Sequence, residues 1–198
     1  MRKYTIAKKP EPLDWSAVPK LSIDNLLWSD PVDIKAEAAL CYDDDGLYVR
    51  LTAIEKNIRA ENTGKLGIPC EDSCLEFFFS PINGDSRYFN VEVNPNGCLY
   101  LGFGSSRYNL HRLIALYESF SVETSRTPDG WLVSYRIPWD FIRLFFPEFK
   151  ACSGTTMRAN FYKCGDLTVQ PHYFSWNPIT LENPEFHCPD HFGLLCFE

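Results

Sequence analysis

Methionine and histidine are scarce in this chain. It has only Met1 and Met157, and the four histidines His111, His172, His187 and His191. A heme iron draws its axial ligands from such side chains, and no axial pair stands out. No apolar run approaches the ~20 residues of a membrane-crossing helix. No basic stripe is present: the net charge is −7 and the isoelectric point is near 5.1. A nucleic-acid partner is therefore not expected, since phosphate neutralisation needs clustered cations. Arg2, Lys3, Lys8 and Lys9 are a short group that reads as a solvated end. No apolar segment follows them, so no secretory signal is visible. The expected location is the cytoplasm, or outside the cell if a signal peptide has been removed.

Cysteine is not lacking, but its usual patterns are. None of the eight cysteines forms a C-x-x-C pair. Cys70 and Cys74 stand at C-x3-C without a matching histidine pair, which argues against zinc or redox motifs. Cys41, Cys74, Cys98, Cys164 and Cys196 fall in apolar runs, where a reduced thiol serves as a small hydrophobe. His187 and His191 have metal-ligand spacing only on a helix, and Pro189 opposes one there.

Aromatic residues are abundant: 15 Phe, 10 Tyr and 5 Trp in 198 residues. Most of the chain alternates with period two. "KAEAALCYDDDGLYVRLTAIE" (35–55) predicts a hairpin turning at Asp43–Gly46. "SCLEFFFSPI" (73–82) predicts a strand covered on both faces. Further hairpins are expected over 86–104, turning at Asn94–Gly97, and over 119–138, turning at Pro128–Gly130. Strands are also expected at 156–165 and 192–198. "PWDFIRLFFPEF" (138–149) predicts one short helix, entered at a proline and stopped before Pro147. The fold class is all-β: one antiparallel β-sandwich domain over 1–198, immunoglobulin- or jelly-roll-like.

Alternation sorts the side chains. Phe89, Val91 and Val93 share one face, with Tyr88, Asn90, Glu92 and Asn94 on the other. Met157, Ala159 and Phe161 oppose Arg158, Asn160 and Tyr162. The hydrophilic rows are rich in amides, phenols and Arg, whose fixed donor geometry suits the hydroxyls of a sugar ring. "PHYFSWNPI" (171–179) holds Tyr173 and Trp176 between prolines. Trp176 is either a core plug or a flat ring restrained for stacking.

"EDSCLEFFFSP", "RYFNVEVNPNG", "RANFYKCGD", "PHYFSWNPI" and "PEFHCPDHFGLLCFE", in that order over roughly 30–198, resemble the family 9-like carbohydrate-binding modules of the DOMON-like β-sandwich group. The resemblance implies a non-catalytic sugar-binding sandwich, often attached to glycan-degrading enzymes and often holding structural calcium. It places Asp72 and Glu76 near the site or a cation. Trp176 resembles one of the family's two clamp rings. The second would fall in "GKLGIPCED", which has no ring, leaving Tyr88, Tyr162 or Tyr173 to replace it.

The expectation is thus a carbohydrate ligand stacked on Trp176. Arg158, Asn160, Glu92 and Tyr162 would hydrogen-bond its hydroxyls, with Glu76 and Lys163 as lesser contributors. No nucleic acid or membrane partner is expected. Two alternatives stand beside this one: a heme-binding electron-transfer relative, and a glycoside hydrolase using paired carboxylates such as Glu76 and Glu92.

Overall fold

Turn chemistry decides where this chain doubles back. The computed structural model describes residues 1–198. Its early strands are β1 (Lys3–Lys8), β2 (Lys20–Ile23), β3 (Asn25–Leu27), β4 (Lys35–Tyr42) and β5 (Gly46–Ile54). At the β4–β5 turn, Asp43 Oδ1 accepts the Asp45 and Gly46 amides at 2.9 and 3.2 Å, as a short acidic side chain does in turns. Next come β6 (Cys74–Ser80), β7 (Tyr88–Val93), β8 (Leu99–Ser106) and β9 (Asn109–Arg112). Gly97 occupies the left-handed conformation at φ +74° in the β7–β8 turn, which glycine adopts without steric cost. Last are β10 (Glu123–Thr127), β11 (Gly130–Pro138), helix α1 (Trp139–Phe145), β12 (Thr156–Gly165), β13 (His172–Ser175) and β14 (Gly193–Phe197).

The strands form two layers. One runs β10–β11–β5–β4, with β2 and the end of β1 along the outer edge of β4. The other runs β1–β14–β12–β6–β7–β8–β9. Strand β12 changes partner midway. Residues 156–159 pair with β14, while 162–165 pair with β13, which carries β3 on its far side.

Between the layers lies one apolar cluster, drawing Leu40, Val49, Leu51 and Trp131 from one side and Phe77, Phe89, Val91 and Phe161 from the other. These are the inward positions that alternation predicts. Trp176 belongs to this cluster, 3% exposed. Its indole meets Phe161 edge-on with centroids 5.8 Å apart and lies where a β-carbon on Gly193 would stand. The ring is a core plug.

Several expectations need correction. The basic N-terminus is a strand, not a solvated end. Tyr4 and Ile6 are buried, and β1 pairs in parallel with both β14 and β4, so the sandwich is not wholly antiparallel. Its flanking cations, Arg2, Lys3, Lys8 and Lys9, mask the inward residues. Strands β2, β3, β9 and β13 are three or four residues long, too short to show a period. Besides the short helix there are three 3₁₀ segments, Pro69–Glu71, Ile114–Phe120 and Pro189–His191.

Lys163 also differs from expectation. It follows Tyr162, so it points between the sheets and is fully buried. Its ammonium lies 3.2 Å from Glu55 Oε1 and 2.8 Å from His172 Nε2. Trp131 Nε1 and Ser73 Oγ donate to the same carboxylate. An ammonium can only donate, so His172 accepts at Nε2 and donates from Nδ1 to the Gln170 carbonyl at 2.8 Å. Burial, then the Lys163 charge, lowers the His172 pKa to about 4, which keeps the ring neutral. A buried carboxylate stripped of its cation is costly. Lys163→Met should destabilise the fold by about 3–5 kcal/mol, and adding Glu55→Gln should recover part of the loss. Urea denaturation of the three proteins checks this.

Candidate functional site

Strand register brings the two hydrophilic rows together. Strand β6 runs between β12 and β7. Tyr162 lies opposite Glu76, Glu76 opposite Glu92, and Glu92 opposite Tyr100. In the neighbouring row Asn160, Phe78, Asn90 and Gly102 align. Cys164 lies opposite Cys74. All project from the outer face of the second sheet.

That face is roofed. Residues 177–192 return across it, and Ile179 and Phe192 pack on Phe78, Tyr88 and Tyr162. A cavity of about 130 Å³ remains, lined by Trp28, Cys70, Glu76, Phe78, Glu92, Arg107, Cys164, Asp166, Tyr173 and Pro184 to His187. Three half-buried rings form a wall: Trp28 stands 6.2 Å from Tyr173 and 5.7 Å from Phe186. Trp28 follows β3 with φ +44°, a left-handed conformation rare for a tryptophan. Its Nε1 donates to the Leu181 carbonyl at 2.8 Å, which ties the ring to the roof. Arg107 pairs with Glu185 at 3.1 Å and clips the β8–β9 turn to the same segment.

The floor is acidic. Glu76 is 2% exposed and Glu92 8%. Glu92 Oε1 accepts from Asn90 Nδ2 at 2.7 Å, and Glu76 Oε1 accepts from the Cys164 thiol at 2.9 Å. Burial, then the neighbouring Glu92 charge, holds the Glu76 carboxyl well above its ordinary value. Burial, offset in part by the Asn90 amide, raises Glu92 to about 7. Asp166 is raised as well, chiefly by burial. His187, buried and repelled by Arg107, is lowered to about 4.

Of the nine residues expected to bind, Glu76, Glu92 and Tyr173 line the cavity. Tyr162 and Tyr88 stand behind it. Tyr162 stacks on Phe186 with centroids 4.1 Å apart, and the Tyr88 hydroxyl bonds His187 Nδ1 at 2.8 Å. Neither Arg158 nor Asn160 lines the cavity, although the buried Arg158 Nε has no partner. Arg158 Nη2 donates to the carbonyls of Pro189, Asp190 and Phe192. Asn160 Oδ1 accepts the Asn177 amide at 2.8 Å while its Nδ2 donates to the Asn177 carbonyl at 3.0 Å. Lys163 and Trp176 lie on the other side of the sheet, in the core.

The calcium expectation at Asp72 and Glu76 is not met. Asp72 is fully buried among donors: the amides of Glu61 and Asn62, Asn94 Nδ2 at 2.7 Å, and the Arg59 guanidinium at 3.2 Å. Burial works to raise its pKa, but the donors from Asn62, Glu61 and Asn94 bring it below the ordinary value. A cation site gathers oxygens, not N–H groups. Asp72 instead orders the loop before β6.

Sequence reasoning missed Trp28, Phe186, His187 and Arg107. Trp28 in "LLWSDP" and Phe186 in "NPEFHCPD" do carry a signal, namely rings set among turn residues, as at Trp176. A larger hollow of about 520 Å³, bordered by Lys56, Arg126 and Asp129, has no aromatic wall on which a ring could stack.

These features define a class: a β-sandwich binding module with one ring-walled, acid-floored cavity on a sheet face. A model of carbohydrate-binding family 9 matches residues 7–197, and the chain belongs to that family. A protein from Bacteroides uniformis ATCC 8492, itself provisionally assigned to carbohydrate binding, is 30% identical, with 100% of this chain and 99% of that one covered at a TM-score of 0.85. Family 9 modules from Caldicellulosiruptor kristjanssonii, solved with glucose and with cellotriose, superpose at TM-score 0.71 and 17% identity. All of this chain is covered, with 96% and 94% of theirs; at that identity they show the fold. No curated protein matches the sequence significantly.

A raised carboxyl means that the folded state holds its proton more tightly than the unfolded chain. Glu92's contribution to stability is full below its ordinary value of 4.5 and is lost as pH rises through about 7. Glu92→Gln should therefore lose less stability than the parent between about pH 5 and pH 8, by on the order of 1–3 kcal/mol. Denaturant midpoints across that range check it.

Proposed function

We propose that the chain is a non-catalytic module that takes a monosaccharide, or the end of an oligosaccharide, into the cavity beside Trp28. One observation carries this reading. Trp28, Tyr173 and Phe186 stand half-buried over Glu76 and Glu92, each of which keeps one carboxylate oxygen without a protein partner. Sugar C–H faces are apolar and pack on aromatic planes, while the edge hydroxyls need fixed polar partners. Carboxyls that hold their protons can both donate to and accept from hydroxyls.

The glucose- and cellotriose-bound relatives support glucose and β-1,4-glucans as the first ligands to try. A cavity of this size encloses about one sugar ring, which suits recognition of an end. Affinity between about micromolar and millimolar fits so few contacts.

Calorimetry with glucose, cellobiose, cellotriose, xylose and mannose tests the proposal. Trp28→Ala should weaken binding about 3- to 10-fold, the share of one ring contact. Glu76→Ala should weaken it further by removing both the donor and the acceptor of the carboxyl. Trp176→Phe should leave affinity unchanged, because that ring is in the core. Well-folded protein silent to the whole set would end the proposal, as would binding that survives Trp28→Ala and Glu76→Ala together.

A further inference from the structure

Three donor atoms meet at the floor of the cavity. Cys74 Sγ, Cys164 Sγ and a Glu76 carboxylate oxygen all lie within 4.8 Å of one another. Register explains the meeting. Cys74 and Cys164 are directly opposed on β6 and β12, and Glu76 follows Cys74 by two residues on the same face. Two donors at i and i+2 of one strand, with a third on its neighbour, surround a point just above the sheet.

The donors are sequestered but not committed. Cys74 is fully buried, and Cys164 and Glu76 are 2% exposed. The Cys74 thiol makes a 3.9 Å contact to the Leu75 carbonyl, too long for a firm bond, and otherwise faces the Cys164 thiol. The Cys164 thiol points at Glu76 Oε1, and the other Glu76 oxygen has no protein partner. The cavity reaches Glu76 and Cys164 directly, so an ion has a way in.

The ordinary role of a buried cysteine is to fill space as a small apolar group. Cys41 fits that role, packed with Val18 and Ala39. It does not account for a thiol aimed at a buried carboxylate, a group that costs free energy where it stands. Two sulfur donors and one carboxylate are a donor set that zinc accepts, whereas calcium needs oxygens throughout. Zn–S bonds near 2.3 Å place two thiolates roughly 3.8 Å apart in a tetrahedron, within reach by side-chain rotation.

We propose that Cys74, Cys164 and Glu76 form a binding site for a thiophilic divalent cation, zinc first, with its fourth position open to the cavity. Both thiols lose their protons to solvent on binding. The site goes beyond the sugar reading and does not depend on it.

The test uses the full chain, kept reduced by a phosphine and stripped with a chelator that is then removed. Zinc is titrated against a chromophoric indicator. Cobalt(II) is titrated alone to read thiolate-to-metal charge-transfer absorption in the near ultraviolet. One equivalent of zinc should bind, and cobalt should give the sulfur bands. Cys74→Ser and Cys164→Ser should each lower zinc affinity about tenfold or more and weaken the sulfur bands by about half, one of two thiolates being lost, with circular dichroism unchanged. The exposed Cys152→Ser should behave as the parent. If a cysteine variant fails to fold, Glu76→Gln carries the test, with weaker zinc binding but retained sulfur bands. Absence of stoichiometric uptake overturns the proposal. So does displacement of zinc by equimolar calcium, uptake that survives the double cysteine variant, or a Cys74–Cys164 disulfide in the purified protein. Sugar calorimetry on the same stripped protein is read separately, so failure of either site leaves the other measurable.

Discussion

The site depends on how β12 changes partner at Asn160. A strand leaving one neighbour for another exposes backbone groups that must be satisfied somewhere. Asn160 supplies both kinds of bond, accepting the Asn177 amide and donating to the Asn177 carbonyl. The Trp176 amide donates to the Phe161 carbonyl beside it. With those bonds in place, β13 can lie against the second half of β12 and hold β3. Tyr173 and Trp28 arrive at the cavity by that route. The chain beyond Asn177 is launched over the sheet face, where it brings Phe186 and His187 down as a roof. Trp176 fixes the same junction from below, as a plug under Gly193.

Burying a polar sheet face has an electrostatic consequence. Cross-strand pairing sets Glu76 against Glu92, and the roof removes the water that would separate their charges. Like charges in a poorly hydrated site resist joint ionisation. The fold tolerates this by letting both carboxyls hold protons more tightly and by leaving one oxygen of each unpaired. On the opposite side of β12 the same problem has a different solution. Lys163, Glu55 and neutral His172 satisfy one another, and Trp131 and Ser73 complete the carboxylate. One side is closed and structural. The other is left short of partners, which is the condition a ligand can relieve.

Most of the scaffold was legible because its period is strong. The hairpins at Asp43–Gly46 and Asn94–Gly97, and the inward rows of β6, β7 and β12, follow from alternation and turn residues. Strand β1 was not legible, since the cations flanking Tyr4 and Ile6 mask them and its pairing is parallel. The site was legible in part. Alternation placed Glu92 and Tyr162 on the hydrophilic faces of their own strands and puts Lys163 opposite Tyr162, but only strand register brought them to one face with Glu76. The rule does not say whether a polar face is wet. Arg158 and Asn160 looked like donors to a ligand, but neither lines the cavity: Asn160 is held by Asn177, and Arg158 Nη2 by the carbonyls of Pro189, Asp190 and Phe192.

The sequence by itself determined the sheet-rich class, the sorting of side chains along each strand and the family to which the chain belongs, because these are carried by local period and by ordered motifs. Only the tertiary structure decided which tryptophan faces the cavity. Trp176 and Trp28 both sit among turn residues, and nothing local tells them apart. The distinction arises from contacts about 150 residues distant in the chain, where Trp28 is held by the Leu181 carbonyl and Asn25 reaches the Trp176 carbonyl. Burial belongs to the packed assembly of strands, and no single segment encodes it.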